Sequence, residues 1–271
     1  MSVHTGARAL TIHDLQGFKD RGERFAMLTA YDYLTAQILD AAGVPILLVG
    51  DSLGMVMLGY DSTVPVTMDE MIHHTKAVRR GAKSALVVAD MPFMSYQASI
   101  SDGLRNAGRL LQEGGAAAVK LEGGANVVEL TSRLVQSGIP VMSHIGLTPQ
   151  SVNQLGGFKV QGRDSAAADR IVEEAVALAD AGSFCVVVEG VPSDVGRRIT
   201  EAVAIPTIGI GAGGDMDGQV LVISDLLGLT GGRLPRFVKQ YADVRSVMTD
   251  AVKNFSAEVA SGDYPGPEHI Y

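Results

Sequence analysis

The chain of 271 residues is poor in cysteine and in aromatic side chains. Its one cysteine, Cys185, excludes an intrachain disulfide and a thiol metal cluster, so we expect a reducing, cytoplasmic setting. Tryptophan is absent and aromatic residues make up 5% of the chain, whereas hydrophobic residues make up 46%. This composition is typical of a closely packed aliphatic α/β protein and not of a disordered one.

Positive charge and long hydrophobic runs are also scarce. The formal net charge is −8, and a surface with this balance disfavours binding to the phosphate backbone of nucleic acids. No apolar stretch reaches the roughly 18 residues of a membrane span, and the N-terminus lacks a basic region followed by a hydrophobic signal core. We therefore expect neither nucleic acid nor membrane as a partner.

What the sequence does contain is a series of eight short apolar runs separated by amphipathic stretches. Such runs are typical of buried parallel strands, and eight of them in about 250 residues match a (β/α)8 TIM barrel. We predict one α/β domain over residues 1–271, although the pattern alone also fits an open doubly wound sheet. The runs cover residues 25–30, 44–50, 85–89, 117–121, 140–145, 184–188, 206–210 and 220–223.

The ends of the chain and two loops depart from this rhythm. Residues 1–24 are predicted as a helical extension that covers the bottom of the barrel, and residues 255–271 as a C-terminal tail. The polar, glycine-rich segments 57–67 and 148–163 are longer than usual strand-to-helix loops. Loops of this length at an active face often act as lids.

Three carboxylates follow three successive apolar runs. Asp51, Asp90 and Glu122 each stand at the C-terminal end of a predicted strand, which is the end where barrels keep their chemistry. Oxygen ligands suit a hard cation such as Mg²⁺. Each acid taken singly could instead cap the following helix. Their occurrence at three equivalent strand ends favours a metal site.

Further candidates lie on the same predicted strands. Lys120 and Glu122 are two residues apart, so they share a face, and Lys120 can neutralise a substrate anion or form an internal salt bridge. Glu189 ends the sixth run, where desolvation disfavours the charged form of a carboxylate, as general bases require. It is the candidate proton acceptor, with helix capping as the alternative. His144 could donate to a substrate oxygen, although a lone strand histidine is more often a core residue.

The run 209–214 matches the dinucleotide pattern G-x-G-x-x-G. It falls late in the chain, and Asp215 and Asp217 follow it, where they would repel a pyrophosphate. We therefore predict a tight turn at the mouth of the barrel and no dinucleotide site.

Several motifs together resemble the ketopantoate hydroxymethyltransferase family almost from end to end. They agree with the family in order and spacing. The motifs are Leu28-Thr29-Ala30-Tyr31-Asp32-Tyr33, Val49-Gly50-Asp51-Ser52-Leu53-Gly54-Met55, Gly59-Tyr60-Asp61-Ser62-Thr63, Ala89-Asp90-Met91-Pro92-Phe93, Val119-Lys120-Leu121-Glu122-Gly123 and His144-Ile145-Gly146-Leu147-Thr148-Pro149-Gln150.

The resemblance implies a (β/α)8 enzyme of pantothenate biosynthesis that assembles as a homodecamer. The implied reaction moves a one-carbon unit from 5,10-methylenetetrahydrofolate to 3-methyl-2-oxobutanoate through a Mg²⁺-stabilised enolate, giving 2-dehydropantoate. By resemblance, Mg²⁺ is held by Asp51, Asp90 and Glu122, and Glu189 is the base. The keto acid would contact Asp51, Ser52, Asp90 and Lys120 in the family, and His144 is our added substrate contact.

Three positions depart from the family pattern. Met94 stands where a small residue, commonly glycine, is expected, Ser143 replaces a small apolar residue or glycine, and Met216 lies in a variable segment. None of them removes a proposed ligand or base, so they bear on pocket shape and folate affinity.

Two other functions fit parts of the pattern. A Mg²⁺-dependent carbon–carbon lyase or mutase of the phosphoenolpyruvate mutase and isocitrate lyase type would also use an enolate, but it would need a cysteine in a mobile loop, and Cys185 lies in a predicted strand. A non-catalytic oligomeric barrel would use the acids only structurally.

Overall fold

The computed structural model describes residues 8–232 and 234–271. Eight parallel strands close into a barrel in chain order, and β8 pairs with β1. All eight predicted strands are confirmed, with ends shifted by no more than two residues, and the closed barrel replaces the open-sheet alternative. The strands are β1 (Phe25–Thr29), β2 (Ile46–Val49), β3 (Leu86–Asp90), β4 (Ala118–Glu122), β5 (Val141–Gly146), β6 (Cys185–Glu189), β7 (Thr207–Ile210) and β8 (Gly218–Leu221).

Helices alternate with most of the strands, as a right-handed succession of βα units requires. The connection from β7 to β8 is the exception, because it contains no helix among its described residues. The helices are α1 (Ile12–Asp20), α2 (Tyr33–Ala41), α3 (Leu53–Val56), α4 (Met68–Gly81), α5 (Ile100–Gln112), α6 (Val128–Gln136), α7 (Val152–Leu155), α8 (Ser165–Asp180), α9 (Ser193–Ala202), α10 (Ile223–Leu226) and α11 (Val244–Ser261).

Alternate residues of the strands fill the barrel interior. Because side chains along a strand point to opposite faces, residues two apart share the inward face. Apolar residues occupy the lower inward positions and form one continuous buried cluster. Its strand members are Phe25, Met27, Ile46, Leu48, Leu86, Val88, Ala118, Met142, Cys185, Val187, Ile208 and Val220.

Helix α1 covers the bottom of the barrel, as predicted for the N-terminal extension. Leu15 is fully buried in the barrel cluster, and Lys19 Nζ lies 2.9 Å from Asp217 Oδ2, just before β8. Asp217 also accepts hydrogen bonds from the backbone and hydroxyl of Thr207. Residues 1–7 of the predicted extension lie outside the described part of the chain.

The glycine-rich run 209–214 owes its composition to close packing. A Cβ at Gly213 would lie 2.6 Å from the Cβ of Ser193, and one at Gly209 would lie 2.8 Å from Met216 Cγ. Each of these distances is shorter than any real Cβ contact, so a side chain cannot be added without a shift. The glycines of this run therefore have a structural explanation in close packing, and the tight turn stays a prediction.

Contacts divide the chain into two compact units, of which the second runs from Val222 to Tyr271. The single-domain organisation stays a prediction. Within the second unit, Tyr241 N donates to Leu226 O and the ring of Phe255 packs against Tyr264. Helix α11 runs to Ser261, so the first part of the predicted tail, residues 255–261, is helical. None of the helices in the described residues is both long enough and apolar enough to cross a membrane.

Candidate active site

The seven predicted site residues come together at the C-terminal end of the barrel. The inward-facing series on β3 continues from Val88 to Asp90, and on β6 it continues from Val187 to Glu189. The strand register aligns Asp90 with Lys120 and aligns Glu122 with His144. One polar layer therefore replaces the apolar filling at this end of the interior.

Lys120 is a buried cation between two of the acids. Its Nζ lies 3.1 Å from Asp90 Oδ1 and 3.7 Å from Glu122 Oε1. Burial opposes the charged ammonium, but Asp90 and Glu122 outweigh burial and raise the pKa of Lys120. A buried cation needs such partners. The internal salt bridge that the sequence allowed is present, with Asp90 and Glu122 as the partners of Lys120.

His144 links Glu122 to Glu189. Its Nδ1 lies 3.2 Å from Glu122 Oε1, and its Nε2 lies 3.3 Å from Glu189 Oε2. Burial and Lys120 act to lower the pKa of His144, but the two carboxylates prevail and raise it to about 9. The Nε2 atom does not form a well-aligned hydrogen bond. The imidazolium therefore stands beside Glu189 without locking it.

Asp51 and Ser52 follow β2 and approach Asp90 through the backbone. Asp51 N donates to Asp90 Oδ2 at 3.0 Å, and Ser52 Oγ shares a 2.9 Å hydrogen bond with Tyr31 Oη. Gly50 permits this approach, because a Cβ there would lie 2.8 Å from Ser52 Oγ. Burial raises the pKa of Asp51, and the nearby charges of the other acids raise it further.

Two site residues were not predicted from the sequence, Gln150 and Tyr96. Gln150 Nε2 donates to Asp51 Oδ2 at 2.9 Å, and its backbone N–H donates to Glu122 Oε2 at 3.0 Å. Tyr96 Oη lies 2.7 Å from Gln150 Oε1 and accepts from Glu122 N at 3.0 Å. Both residues are buried and hold two of the acids in place. The signal in the sequence was that Tyr96 and Gln150 lie in the loops after β3 and β5.

The chemistry of the acid cluster fits a divalent cation. Asp51, Asp90 and Glu122 offer only oxygens, and the buried Asp90 Oδ1 makes no hydrogen bond despite its ion pair with Lys120. Glu122 already bonds through both oxygens, to His144 and Gln150. No trio of His, Cys, Asp or Glu within the described ranges is arranged to hold a metal unaided. Mg²⁺ commonly takes one or two protein carboxylates and completes its octahedron with water and substrate.

The lone cysteine takes no part in this layer. Cys185 is fully buried at the start of β6, and burial raises the pKa of its thiol. A protonated thiol in the apolar interior cannot act as a loop acid or nucleophile. The lyase alternative therefore lacks its expected cysteine.

Met94 departs from the family pattern at a position with an unusual backbone. Its φ is +64°, a left-handed value that glycine adopts without strain, and Ser95 N donates to Pro92 O at 3.1 Å. A positive φ at the third residue is the mark of a type II turn. Among the described residues, Met94 is the only non-glycine with a positive φ.

The fold resembles solved barrels of the phosphoenolpyruvate mutase and isocitrate lyase group. A 2,3-dimethylmalate lyase matches with a TM-score of 0.62 and 15% identity, covering 95% of this chain and 87% of that one. A phosphoenolpyruvate phosphomutase from Streptomyces platensis subsp. rosaceus matches with a TM-score of 0.61 and 15% identity, covering 95% and 92%. At such low identity, these likenesses show the fold alone.

Sequence comparison is far more specific. The family model described as ketopantoate hydroxymethyltransferase matches residues 9–267. A 3-methyl-2-oxobutanoate hydroxymethyltransferase from Carboxydothermus hydrogenoformans is 57% identical over 97% of this chain and 95% of its own length. One from Syntrophus aciditrophicus is 56% identical over the full length of both. The chain therefore belongs to the ketopantoate hydroxymethyltransferase family and is a transferase.

Proposed function

We propose that the protein transfers the one-carbon unit of 5,10-methylenetetrahydrofolate to 3-methyl-2-oxobutanoate, forming 2-dehydropantoate for pantothenate and coenzyme A synthesis. The observation that carries this proposal is the position of Glu189, an inward-facing carboxylate 3.3 Å from His144 and joined through it to the cluster of Lys120 and the acids. A base beside a buried cation and oxygen ligands is what enolisation of a 2-keto acid requires.

Glu189 is the proposed general base. Its side chain is 15% exposed, more than that of His144, so a substrate can reach it from the open end of the barrel. The C3–H bond of the keto acid breaks, the proton passes to Glu189, and the electron pair forms the C2–C3 double bond of the enolate. His144 Nε2 lies 3.3 Å from Glu189 Oε2, so a cationic imidazolium faces the proposed base.

Lys120 and Ser52 are the proposed contacts of the substrate's oxygens, together with His144. The charged ammonium of Lys120 offsets the negative charge that grows on the C2 oxygen as the enolate forms, and in a buried site such an interaction is stronger than in water. The hydroxyl of Ser52, held by Tyr31, can donate to the substrate carboxylate. The enolate carbon then attacks the folate-borne methylene, and water releases the product and tetrahydrofolate.

Asp51 and Asp90, with Glu122, are the proposed holders of Mg²⁺. When bound there, Mg²⁺ would supply Lewis-acid polarisation of the keto group, which makes the C3 proton more acidic. The three acids and Glu189 carry more negative charge than Lys120 and His144 offset, which supports a divalent cation in the working enzyme. Gln150 and Tyr96 keep the acids converged.

The proposal is tested by following the keto acid by proton NMR in D₂O with purified protein. We expect loss of the C3 proton signal with Mg²⁺ alone, and a new hydroxymethyl signal when tetrahydrofolate and formaldehyde are added. EDTA should abolish both changes. If neither exchange nor product is seen under any of these conditions, the proposal is overturned and the non-catalytic barrel becomes the better account.

We also propose that the protein is a cytoplasmic homo-oligomer, and specifically a decamer, as the family resemblance implies. Exposed apolar side chains on α2 and, in the second unit, on α11 each support self-association, since exposed apolar patches mark interaction sites. They are Leu34 and Ile38 on α2, and Val247, Met248, Val252, Phe255 and Val259 on α11. Light scattering coupled to size exclusion should give ten times the chain mass of 28.4 kDa, and a monomer mass would refute the assembly.

A further inference from the structure

A large cavity adjoins the acid cluster on its outer side. Its volume is about 730 Å³, within the range of roughly 300–1,000 Å³ that ligand sites occupy. Glu122, Gln150 and Tyr96 form part of its wall, so it shares three residues with the proposed active site. Gly146, which is paired with Glu189 across β5 and β6, also lines it. A molecule in this cavity would lie next to a keto acid bound at Lys120.

The cavity is lined by groups that both donate and accept hydrogen bonds. Side-chain amides come from the loops after β3, β4 and β5, and the ring of Phe93 gives one flat apolar surface. The amide residues are Gln97, Asn126, Gln154 and Gln161. Such a lining suits a planar heterocycle that carries amide-like edges.

One carboxylate in the lining, Glu174 on α8, packs closely against the backbone at Gly124. A Cβ at Gly124 would collide with the carboxylate in its present position, so glycine there lets Glu174 reach this place without moving its end. The backbone N–H of Ala125 lies on the same side and favours the charged form of the carboxylate. Burial raises the pKa of Glu174, although the Arg170 charge and the Ala125 N–H oppose the change. A carboxylate can accept about four hydrogen bonds, so Glu174 can accept two more from the cavity.

We propose that this cavity binds the pteridine ring of the folate co-substrate, with Glu174 accepting hydrogen bonds from N3–H and the 2-amino group. The inference rests on the proposed folate-dependent function and deepens it. The two N–H donors stand side by side on one edge of the ring, and the two oxygens of a carboxylate match them as a bidentate, charge-assisted pair. The amide of Asn126 lines the cavity and can meet the other polar atoms of the ring, and the side chain of Phe93 can pack on its face.

The test is direct binding of tetrahydrofolate, measured by anaerobic calorimetry on the full-length protein with Mg²⁺. Glu174→Gln keeps the shape of the side chain but turns one oxygen into a donor that faces the donors of the ligand. We expect the dissociation constant to rise roughly 10- to 100-fold, as loss of a charged hydrogen-bond pair implies. The matched control is Glu173→Gln, on the exposed neighbouring residue, which should bind within twofold of wild type. An unchanged dissociation constant in Glu174→Gln overturns the inference.

A ligand-side change separates this contact from a merely structural role. A tetrahydrofolate analogue without the 2-amino group should bind the wild type at least tenfold more weakly. It should show little further loss in Glu174→Gln, because the variant has already lost the partner of that group. If the losses of affinity caused by the variant and by the analogue add up when the two are combined, the assignment of Glu174 is overturned, even if folate binds in the cavity.

The wild-type controls distinguish failure of this inference from failure of the proposed function. If the wild type transfers the one-carbon unit from folate, and Glu174→Gln binds tetrahydrofolate as tightly as the wild type does, only the pteridine site is refuted. A wild type that binds no tetrahydrofolate and forms no product refutes the folate-dependent function, and the inference with it.

Discussion

Replacing Met94 with glycine should stabilise the protein. The φ of +64° forces a left-handed conformation on Met94, which costs a non-glycine residue about 1–2 kcal/mol. Glycine removes that strain but loses about 0.4–1 kcal/mol through the greater freedom of the unfolded chain. The Met94 side chain is 55% exposed, so little buried surface is lost. We expect a net gain of about 0.5–1 kcal/mol in the free energy of unfolding.

The matched control is Met94→Ala, which removes the same side-chain contacts but keeps the strained backbone. Urea unfolding followed by circular dichroism should place the glycine variant about 1 kcal/mol above the alanine variant, with a melting temperature about 2–4 °C higher. Equal stability of the two variants, or greater stability of Met94→Ala, would refute the argument that φ at this turn limits stability.

Three further predictions concern hydrogen-bond networks. Gln150→Ala removes the hydrogen bonds that hold Asp51 and Glu122. Deuterium exchange at C3 of the keto acid should therefore slow at least tenfold, an effect of about 1.4 kcal/mol on the barrier. An unchanged exchange rate would count against a role for this network. Asp40 accepts three backbone N–H bonds in the loop before β3, and although burial acts to raise its pKa, these bonds lower it. The stabilisation by these bonds is therefore fully present above the ordinary pKa of an aspartate and is lost as pH falls through the lowered pKa. The stability deficit of Asp40→Asn, about 1 kcal/mol near pH 7, should therefore shrink in urea titrations as the pH falls through that lowered pKa. Asp217→Ala removes bonds to Lys19 and Thr207 at the bottom of the barrel, so unfolding should become easier by about 2 kcal/mol while kcat/KM stays within twofold; a large loss of activity would contradict this separation.

The barrel and its principal acids were predictable because both follow from short local patterns of apolar and charged residues. Buried parallel strands need short continuous apolar runs, and the eight runs show their positions. The period of two then places Lys120 and Glu122 on one inward face, and it extends the apolar series on β6 to Glu189. Chemistry at the strand ends follows from this local pattern and the general geometry of barrels.

Contacts between distant loops were not predictable in the same way. Gln150 meets Asp51 across 99 positions of sequence, and no local pattern encodes that pairing. The positive φ of Met94 was likewise not predictable, because methionine, unlike glycine, is not a sequence signal for a left-handed turn. The glycines of run 209–214 match a dinucleotide-binding motif, but Gly213 and Gly209 are explained by close packing against Ser193 and Met216. Here a local pattern matches a motif whose function the structure does not require.

The most direct test of the account is the exchange rate at C3 of 3-methyl-2-oxobutanoate in Glu189→Gln, measured by proton NMR in D₂O with Mg²⁺. Glu201→Gln, at an exposed acid on α9, is the matched control. We expect exchange to fall at least about 100-fold in Glu189→Gln, as for loss of a general base, while calorimetry shows keto-acid binding within threefold of wild type. Exchange at the wild-type rate in Glu189→Gln would contradict the central claim and assign the base to another residue.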